Sequence, residues 1–311
     1  MIELRRIDHV CLRVADPGEA AARWSEQFGL QVRSRDPQVV ALACDDEPCS
    51  VKLAAAAGPG LQYVAYELAR ACSLDQAAAH LEGFGAEVSR EEHSLFTRDA
   101  DGNGIEVLAY REPESRLVAH ARPSVNPVVG HPHKLGHVNF LTGGLREQVR
   151  FYTDALGMRV TDWLGDGGVW FHINSDHHVM ALIEKGFSHF HHLAFDVVDI
   201  GQMRVALDHL GRHGRWLGWG PTHHGVGGNI ASYVRIVEED CFVELYCDME
   251  QLAPDHEPRR WPDNRVSSNT WGPLPPRSYF RFDQAAIDSE RESLEMLGIQ
   301  LPTAPTDKGS Q

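Results

Sequence analysis

DHVCLRVADPGEAAARWSEQFGLQV at residues 8–32 and GHVNFLTGGLREQVRFYTDALGMRV at residues 136–160 decide the fold. The two stretches align without a gap: His9 on His137, Trp24 on Tyr152 and Gly29 on Gly157, each pair 128 residues apart. Further on, YVAYEL from Tyr63 matches HLAFDV from His192 at an offset of 129, and IEVLAY around Glu106 matches VELYCD around Glu244 at an offset of 138. The chain is therefore a duplication with a period of about 130 residues, and a repeat of that size governs every more local reading.

A second period lies inside the first. His9 and Tyr63 are 54 residues apart and His137 and His192 are 55, so each half divides into two units. Each unit opens on an alternating strand such as IDHVCLRV or GHVNFL. An amphipathic helix follows, as in GEAAARWSEQFG, closed by a glycine suited to a left-handed cap. Short apolar strands such as VVALAC and GGVWFHI come next, separated by Gly, Asp and Asn turn signals. The expectation is an α+β chain of two domains, each built from two βαβββ modules.

The repeat also gathers a candidate metal site. His137, His192 and Glu244 each lie in an apolar strand-like run, LGHVNFL, FHHLAFDV and CFVELYCD. Two imidazoles and one carboxylate on one side of a metal leave its other side open, the arrangement of the facial triad that suits Fe(II) binding both a substrate and O2. In the first half His9 and Glu106 remain, but Tyr63 stands where the second half has His192. The metal is expected in the second half, with the first a relic.

The βαβββ array over roughly residues 5 to 250 resembles the vicinal oxygen chelate superfamily, also known as the glyoxalase/bleomycin resistance fold. Residues around the triad narrow the resemblance. GPTHHG spans 220–225, Tyr233 lies nine residues after His224, Glu244 eleven after that, and His178 fourteen before His192. This order is similar to the type I extradiol catechol dioxygenases, including the catechol 2,3-dioxygenase and homoprotocatechuate 2,3-dioxygenase branches. The resemblance implies a catecholic substrate and O2 as partners, with Fe(II) as cofactor and Mn(II) as its substitute. It assigns His178 as acid–base catalyst on the oxygen side, and His224 and Tyr233 as hydrogen-bond partners that manage the catecholate proton. Trp170, eight residues before His178, matches an aromatic pocket position. The chemistry suits these groups, because a catechol loses a proton to chelate and cleavage of the O–O bond requires one back. GPTHHG has adjacent histidines, and the distance to Tyr233 favours His224 over His223.

Other polar residues receive blander readings. His191, next to His192 in a strand, is expected on the opposite face with a structural role. His177 and His189 gain no role, and His131 and His133 are expected to be solvent-exposed in the linker. Glu184, Glu238, Glu239 and Asp240 read as solvated turn or edge residues, and Met180 and Phe195 as core. DADGNG at 99–104 lacks the bidentate glutamate of a calcium loop and reads as a hairpin turn.

With 29 basic and 44 acidic residues the formal charge is −15, which disfavours nucleic acid and anionic membrane surfaces as partners. No apolar run approaches a membrane span, and MIELRRIDHV enters a strand without a signal-peptide core. The six cysteines, 11, 44, 49, 72, 241 and 247, show neither a CxxC pair nor a disulfide framework, so reduced thiols and a cytoplasmic setting are expected. The proposed boundaries are 1–112 for the first domain, 113–133 for the linker, 134–250 for the catalytic domain and 251–311 for the tail. That proline-rich tail reads as a lid or oligomer contact, with a short helix in DQAAIDSERESLEMLG and a disordered end. Arg259, Arg260 and Arg277 are expected on its surface, with pairing to a substrate carboxylate as the alternative. The family implies a homo-oligomer. Two other functions share the fold: metal-dependent isomerases or lyases of the glyoxalase type, which use four protein ligands, and ligand-sequestering proteins without a triad.

Overall fold

The structure is a computed structural model and describes residues 2–45, 47–112, 132–215 and 217–282, together with 285 and 288. Its first half runs β1 (Leu4–Val14), α1 (Pro17–Phe28), β2 (Gln31–Arg35), β3 (Val39–Ala43) and β4 (Val51–Ala55). The pattern recurs as β5 (Gly60–Leu68), α2 (Leu74–Phe84), β6 (Ser89–Arg90), β7 (Ser94–Arg98) and β8 (Gly104–Leu108). The second half repeats it as β9 (Lys134–Thr142), α3 (Leu145–Arg150), β10 (Arg159–Leu164), β11 (Gly168–His172) and β12 (Met180–Glu184). Its last module is β13 (His189–Asp196), α4 (Ile200–Arg212), β14 (Leu217–His223), β15 (Ile230–Ile236) and β16 (Cys241–Cys247). The four βαβββ modules expected from the repeat are all present.

Local chemistry sets the helices. Asp16 caps α1 by accepting from the amides of Gly18 and Glu19, and Gly29 closes it at φ 72. Ser73 and Gln76 form a reciprocal capping box at the start of α2. The third helix departs from expectation. After Arg150 its backbone widens into a π turn over Phe151–Ala155, and both adjacent aromatics, Phe151 and Tyr152, are buried.

The sheets explain the site. In the first, the strand order is β2-β3-β4-β1-β5-β8-β7-β6; in the second it is β14-β15-β16-β13-β9-β12-β11-β10, and β17 (Arg259–Trp261) from the tail adds an edge. The opening strands of the two modules lie antiparallel at the centre, β1 with β5 and β9 with β13. The closing strand of each module runs parallel to an opening strand, as β16 does to β13. One apolar core joins the halves: Trp24 and Phe28 of α1 both stand 6.4 Å from Phe195 of β13. Met180 and Phe195 are fully buried, as expected.

Beyond β16 the tail crosses the second sheet through β17, a short helix α5 (Arg265–Ser268) and a single 3₁₀ turn at Arg277–Phe280. The expected linker lies almost wholly outside the described residues, as do His131, the chain end and most of the expected tail helix. Among the described residues no helix is long and apolar enough to cross a membrane.

Candidate metal centre

Three neighbouring strands carry the triad. Ala194 of β13 is in register with His137 on β9 and with Glu244 on β16, and His192 lies two residues earlier on β13. Ala194 itself is fully buried. His137 and His192 each place Nε2 3.0 Å from Oε2 of Glu244. The ligand atoms lie within 4.8 Å of one another, and this is the only such group of three among the described residues. Asn229 donates from Nδ2 to Oε1 of Glu244 at 3.1 Å, holding the carboxylate in orientation. A Cβ on Gly136 would stand 1.8 Å from the Tyr246 hydroxyl, so glycine here lets Tyr246 pack 5.0 Å from the His137 ring.

The charge states match ligation. Burial pushes His192 below its ordinary value, and Glu244 beside it only partly offsets this. Burial alone would raise the Glu244 carboxyl, but His137 and His192 together hold it well below the usual range. Neutral imidazole and ionised carboxylate are the forms that bind a divalent cation. The donor set therefore fits Fe(II) or Mn(II).

A cavity of about 370 Å³ opens over the triad. His178 borders it with its ring 4.2 Å from that of His137, and Tyr233 borders it 5.4 Å from His192. The two groups thus flank different ligands. His224 accepts from the Tyr233 hydroxyl at 2.8 Å through Nε2, while its Nδ1 donates to the Ser268 carbonyl at 3.0 Å. His223 faces away, bonded to Thr270 and stacked on Trp271. Trp170, Leu164, Ile183, Pro275 and Phe280 supply apolar wall, the last two from the tail.

Comparison with known proteins agrees with this geometry. Residues 9–108 match a glyoxalase-like domain, and residues 134–233 match the glyoxalase/bleomycin resistance protein/dioxygenase superfamily. The chain belongs to the vicinal oxygen chelate superfamily. Metapyrocatechase 2 of Cupriavidus necator is 27% identical over 303 residues, covering 90% of this chain and 92% of that one. Homoprotocatechuate 2,3-dioxygenase of Arthrobacter globiformis shares the fold at a TM-score of 0.79 and 21% identity, covering 90% and 91% of the two chains. A Mn(II)-bound glyoxalase from Novosphingobium aromaticivorans does so at 0.78 and 24%, covering 89% and 94%.

Within this member of the superfamily several expectations need correction. His191 does not sit on a separate face: the β9–β13 register slips between Phe190 and His192, and both histidines are buried with Nδ1 atoms 2.8 Å apart. His191 also borders the cavity and bonds the Tyr279 carbonyl through Nε2 at 2.8 Å. His177 is fully buried between His178 and Asp162. Glu239 is fully buried against Arg23, and Glu238 pairs with Arg215, because the β15–β16 turn packs on the first half. His133 is half-buried against Asp45 rather than free. Arg259 is committed to Asp162 and Glu250, whereas Arg260 is exposed over Trp163. The Arg277 side chain lies outside the described part of the structure. Glu184 is exposed at the cavity rim, and DADGNG is the β7–β8 turn. Sequence reasoning missed Asn229, Tyr246, Tyr279 and Asp162, whose contacts with the site are set by the folded packing.

Proposed function

We propose that this chain is an extradiol ring-cleaving dioxygenase, which opens a catecholic ring beside its diol with O2. The observation that carries the reading is the pairing of an open His137–His192–Glu244 triad with two separate proton-handling groups over one cavity. The similarity to metapyrocatechase and to homoprotocatechuate 2,3-dioxygenase supports the same activity. Fe(II) is the proposed metal and Mn(II) its substitute.

His137, His192 and Glu244 would hold a divalent ion, which would supply Lewis acidity and an electron path between diol and O2. The rest of the work falls to side chains. The Ser268 carbonyl can only accept, so His224 carries its proton on Nδ1 and offers a bare Nε2. The Tyr233 hydroxyl therefore donates to His224, and its oxygen lone pairs remain to accept from a catechol hydroxyl. Burial raises the Tyr233 phenol well above its usual value and keeps it protonated at neutral pH. Across the site, burial holds His178 well below its ordinary value and so neutral. His178 is proposed to hold and return the proton needed on the oxygen side. Trp170 and the tail residues exclude water from the ring.

Residues 134–250 form the proposed catalytic domain, 1–112 its companion, and 251–311 a lid or oligomer contact. Self-association and a cytoplasmic setting belong to the same proposal, and the six free cysteines support a reducing compartment. A glyoxalase-type isomerase is the alternative, favoured by the Mn(II)-bound structural relative.

The test is anaerobic loading with Fe(II) or Mn(II), followed by air and a panel of catechols, catecholic acids and biaryl diols. Yellow ring-opened product with matching O2 uptake is expected. Full metal content without O2 uptake on any diol would overturn the reading.

A further inference from the structure

Asp162, on β10, is fully buried and accepts a concentrated set of N–H donors. Arg259 reaches its Oδ1 from Nε at 2.9 Å and its Oδ2 from Nη2 at 2.8 Å. The Arg259 amide reaches Oδ1 at 3.1 Å, and Trp261 donates from Nε1 to Oδ2 at 2.7 Å. His256 stands 3.9 Å away. Burial would raise the carboxyl, but His177, Arg259 and Trp261 hold it down to about 2. Asp162 is thus an anion that only accepts.

His177 Nε2 lies 3.1 Å from Asp162 Oδ2, and His177 Nδ1 lies 3.0 Å from His178 Nδ1. Both histidines are buried, and their facing Nδ1 atoms are paired with each other. When His177 carries a single proton, the Asp162 carboxylate holds it on Nε2, and the His177 Nδ1 is then bare. One hydrogen occupies the contact between two Nδ1 atoms, so it belongs to His178. His178 is left with a bare Nε2, the only ring nitrogen free to face the cavity.

We propose that Asp162 and His177 are positioning residues that fix the tautomer of His178 with Nε2 unprotonated toward the substrate, and that the tail strand β17 fastens this chain by clamping Asp162. The inference rests on the acid–base role given to His178 above. It also gives the tail a task besides covering the cavity, since Arg259 supplies three N–H groups to Asp162 and Trp261 supplies the shortest contact.

Two measurements test it. The first is nitrogen-15 NMR of histidine-labelled full-length protein with diamagnetic Zn(II) in the triad. His178 is expected to be protonated on Nδ1, and His177→Phe is expected to shift it to the Nε2 tautomer or a mixture. Wild-type His178 protonated on Nε2, or the same tautomer in both proteins, overturns the proposal whatever reaction the enzyme catalyses. The second is a double-mutant cycle on the Fe(II) enzyme. His177→Phe is expected to lower kcat by about 10–100-fold, as loss of an orienting partner does, with metal content intact and catechol KM within twofold. His177→Gln, whose amide can still link Asp162 to His178, is expected to recover part of the loss. Combining His177→Phe with His178→Phe should be no slower than His178→Phe alone, because both act through one imidazole. Additive losses, or wild-type kcat in His177→Phe, overturn the relay. If no diol is cleaved by any protein, the dioxygenase reading fails, and the tautomer measurement still decides the positioning.

Discussion

The two halves of this molecule place five residues in equivalent positions and keep only two of them. β1 pairs with β4 so that Val10 faces Val51, and β9 pairs with β12 so that Val138 faces Met180. That register puts Cys49 where the second half has His178. Likewise Phe96 faces Glu106 on β7–β8 as Tyr233 faces Glu244 on β15–β16. The first half therefore carries His9, Tyr63, Glu106, Cys49 and Phe96 in place of His137, His192, Glu244, His178 and Tyr233. Burial pushes the Cys49 thiol up to about 12, so it keeps its proton near neutral pH and is a poor acid–base catalyst there.

The polar bookkeeping differs as well. In the first half His9 bonds Asp8 through Nδ1 at 2.7 Å, and Asp8 is in turn held by Arg6 and Arg111. His9 Nε2 sits 3.3 Å from Glu106, closed over by the Tyr63 ring. In the second half Gly136 replaces Asp8, and three ligand atoms converge on an open cavity. Duplication supplied one scaffold twice. One copy ties its buried histidine to Asp8 and closes a tyrosine ring over it, and the other gathers three ligand atoms beneath an open cavity.

The largest expected effect comes from making the second half like the first. His192→Tyr should lose its metal, and ring cleavage should fall by about a thousand-fold or more, the several kcal/mol that a bound ion supplies. Metal analysis after gel filtration together with O2 uptake checks this; retention of one ion and full activity would break the comparison. A smaller loss is expected from Asn229→Ala, which frees one oxygen of Glu244. Removing such an orienting partner should weaken metal affinity by about 10–100-fold, read from competition with a chelator, while saturating metal restores most activity.

The reverse change sharpens the comparison from the other side. Tyr63→His should let the first half bind a second, weaker ion, since Asp8 already orients His9 with Nε2 toward Glu106. Metal titration should rise from one ion per chain toward two, with no added ring cleavage, because Cys49 and Phe96 cannot replace His178 and Tyr233. Stoichiometry that stays at one would mean that Lys52, whose ammonium lies 6.0 Å from the Tyr63 ring, closes the site against cations.

Much of this was legible in the sequence because the ligands sit on strands whose period the duplication displays twice. His137, His192 and Glu244 could be read by aligning one half on the other, and His224 by its distance to Tyr233. The supporting chemistry was not legible. Asp162 meets Arg259 only through the parallel pairing of β10 with β17, a contact 97 residues long in sequence. His191 was placed on the wrong face because strand alternation assumes an unbroken register, and a one-residue slip after Phe190 breaks it. Glu239 read as a solvated turn because nothing local signals that α1 of the other half will cover it.

The smallest expected effect lies where the halves meet. Glu47, on the β3–β4 connection, accepts from Ser50 and from the Leu135 amide at 3.2 Å, two residues before the ligand His137. Burial raises its carboxyl from 4.5 to about 7, against the pull of those hydrogen bonds and of Arg6. Between those two values the folded chain keeps a proton that the unfolded chain has released, so folding stability contributed at this site falls as pH rises through the window. Above about pH 7 the full cost is present, on the order of 3 kcal/mol from the size of the shift. Glu47→Gln mimics the protonated form at every pH. It should match wild type in thermal stability at pH 4 and exceed it by several degrees at pH 8, as calorimetry at the two values would record. Equal melting at both would mean that Glu47 is already ionised and paired in the fold, and that the junction between the halves is held by charge rather than by a buried neutral acid.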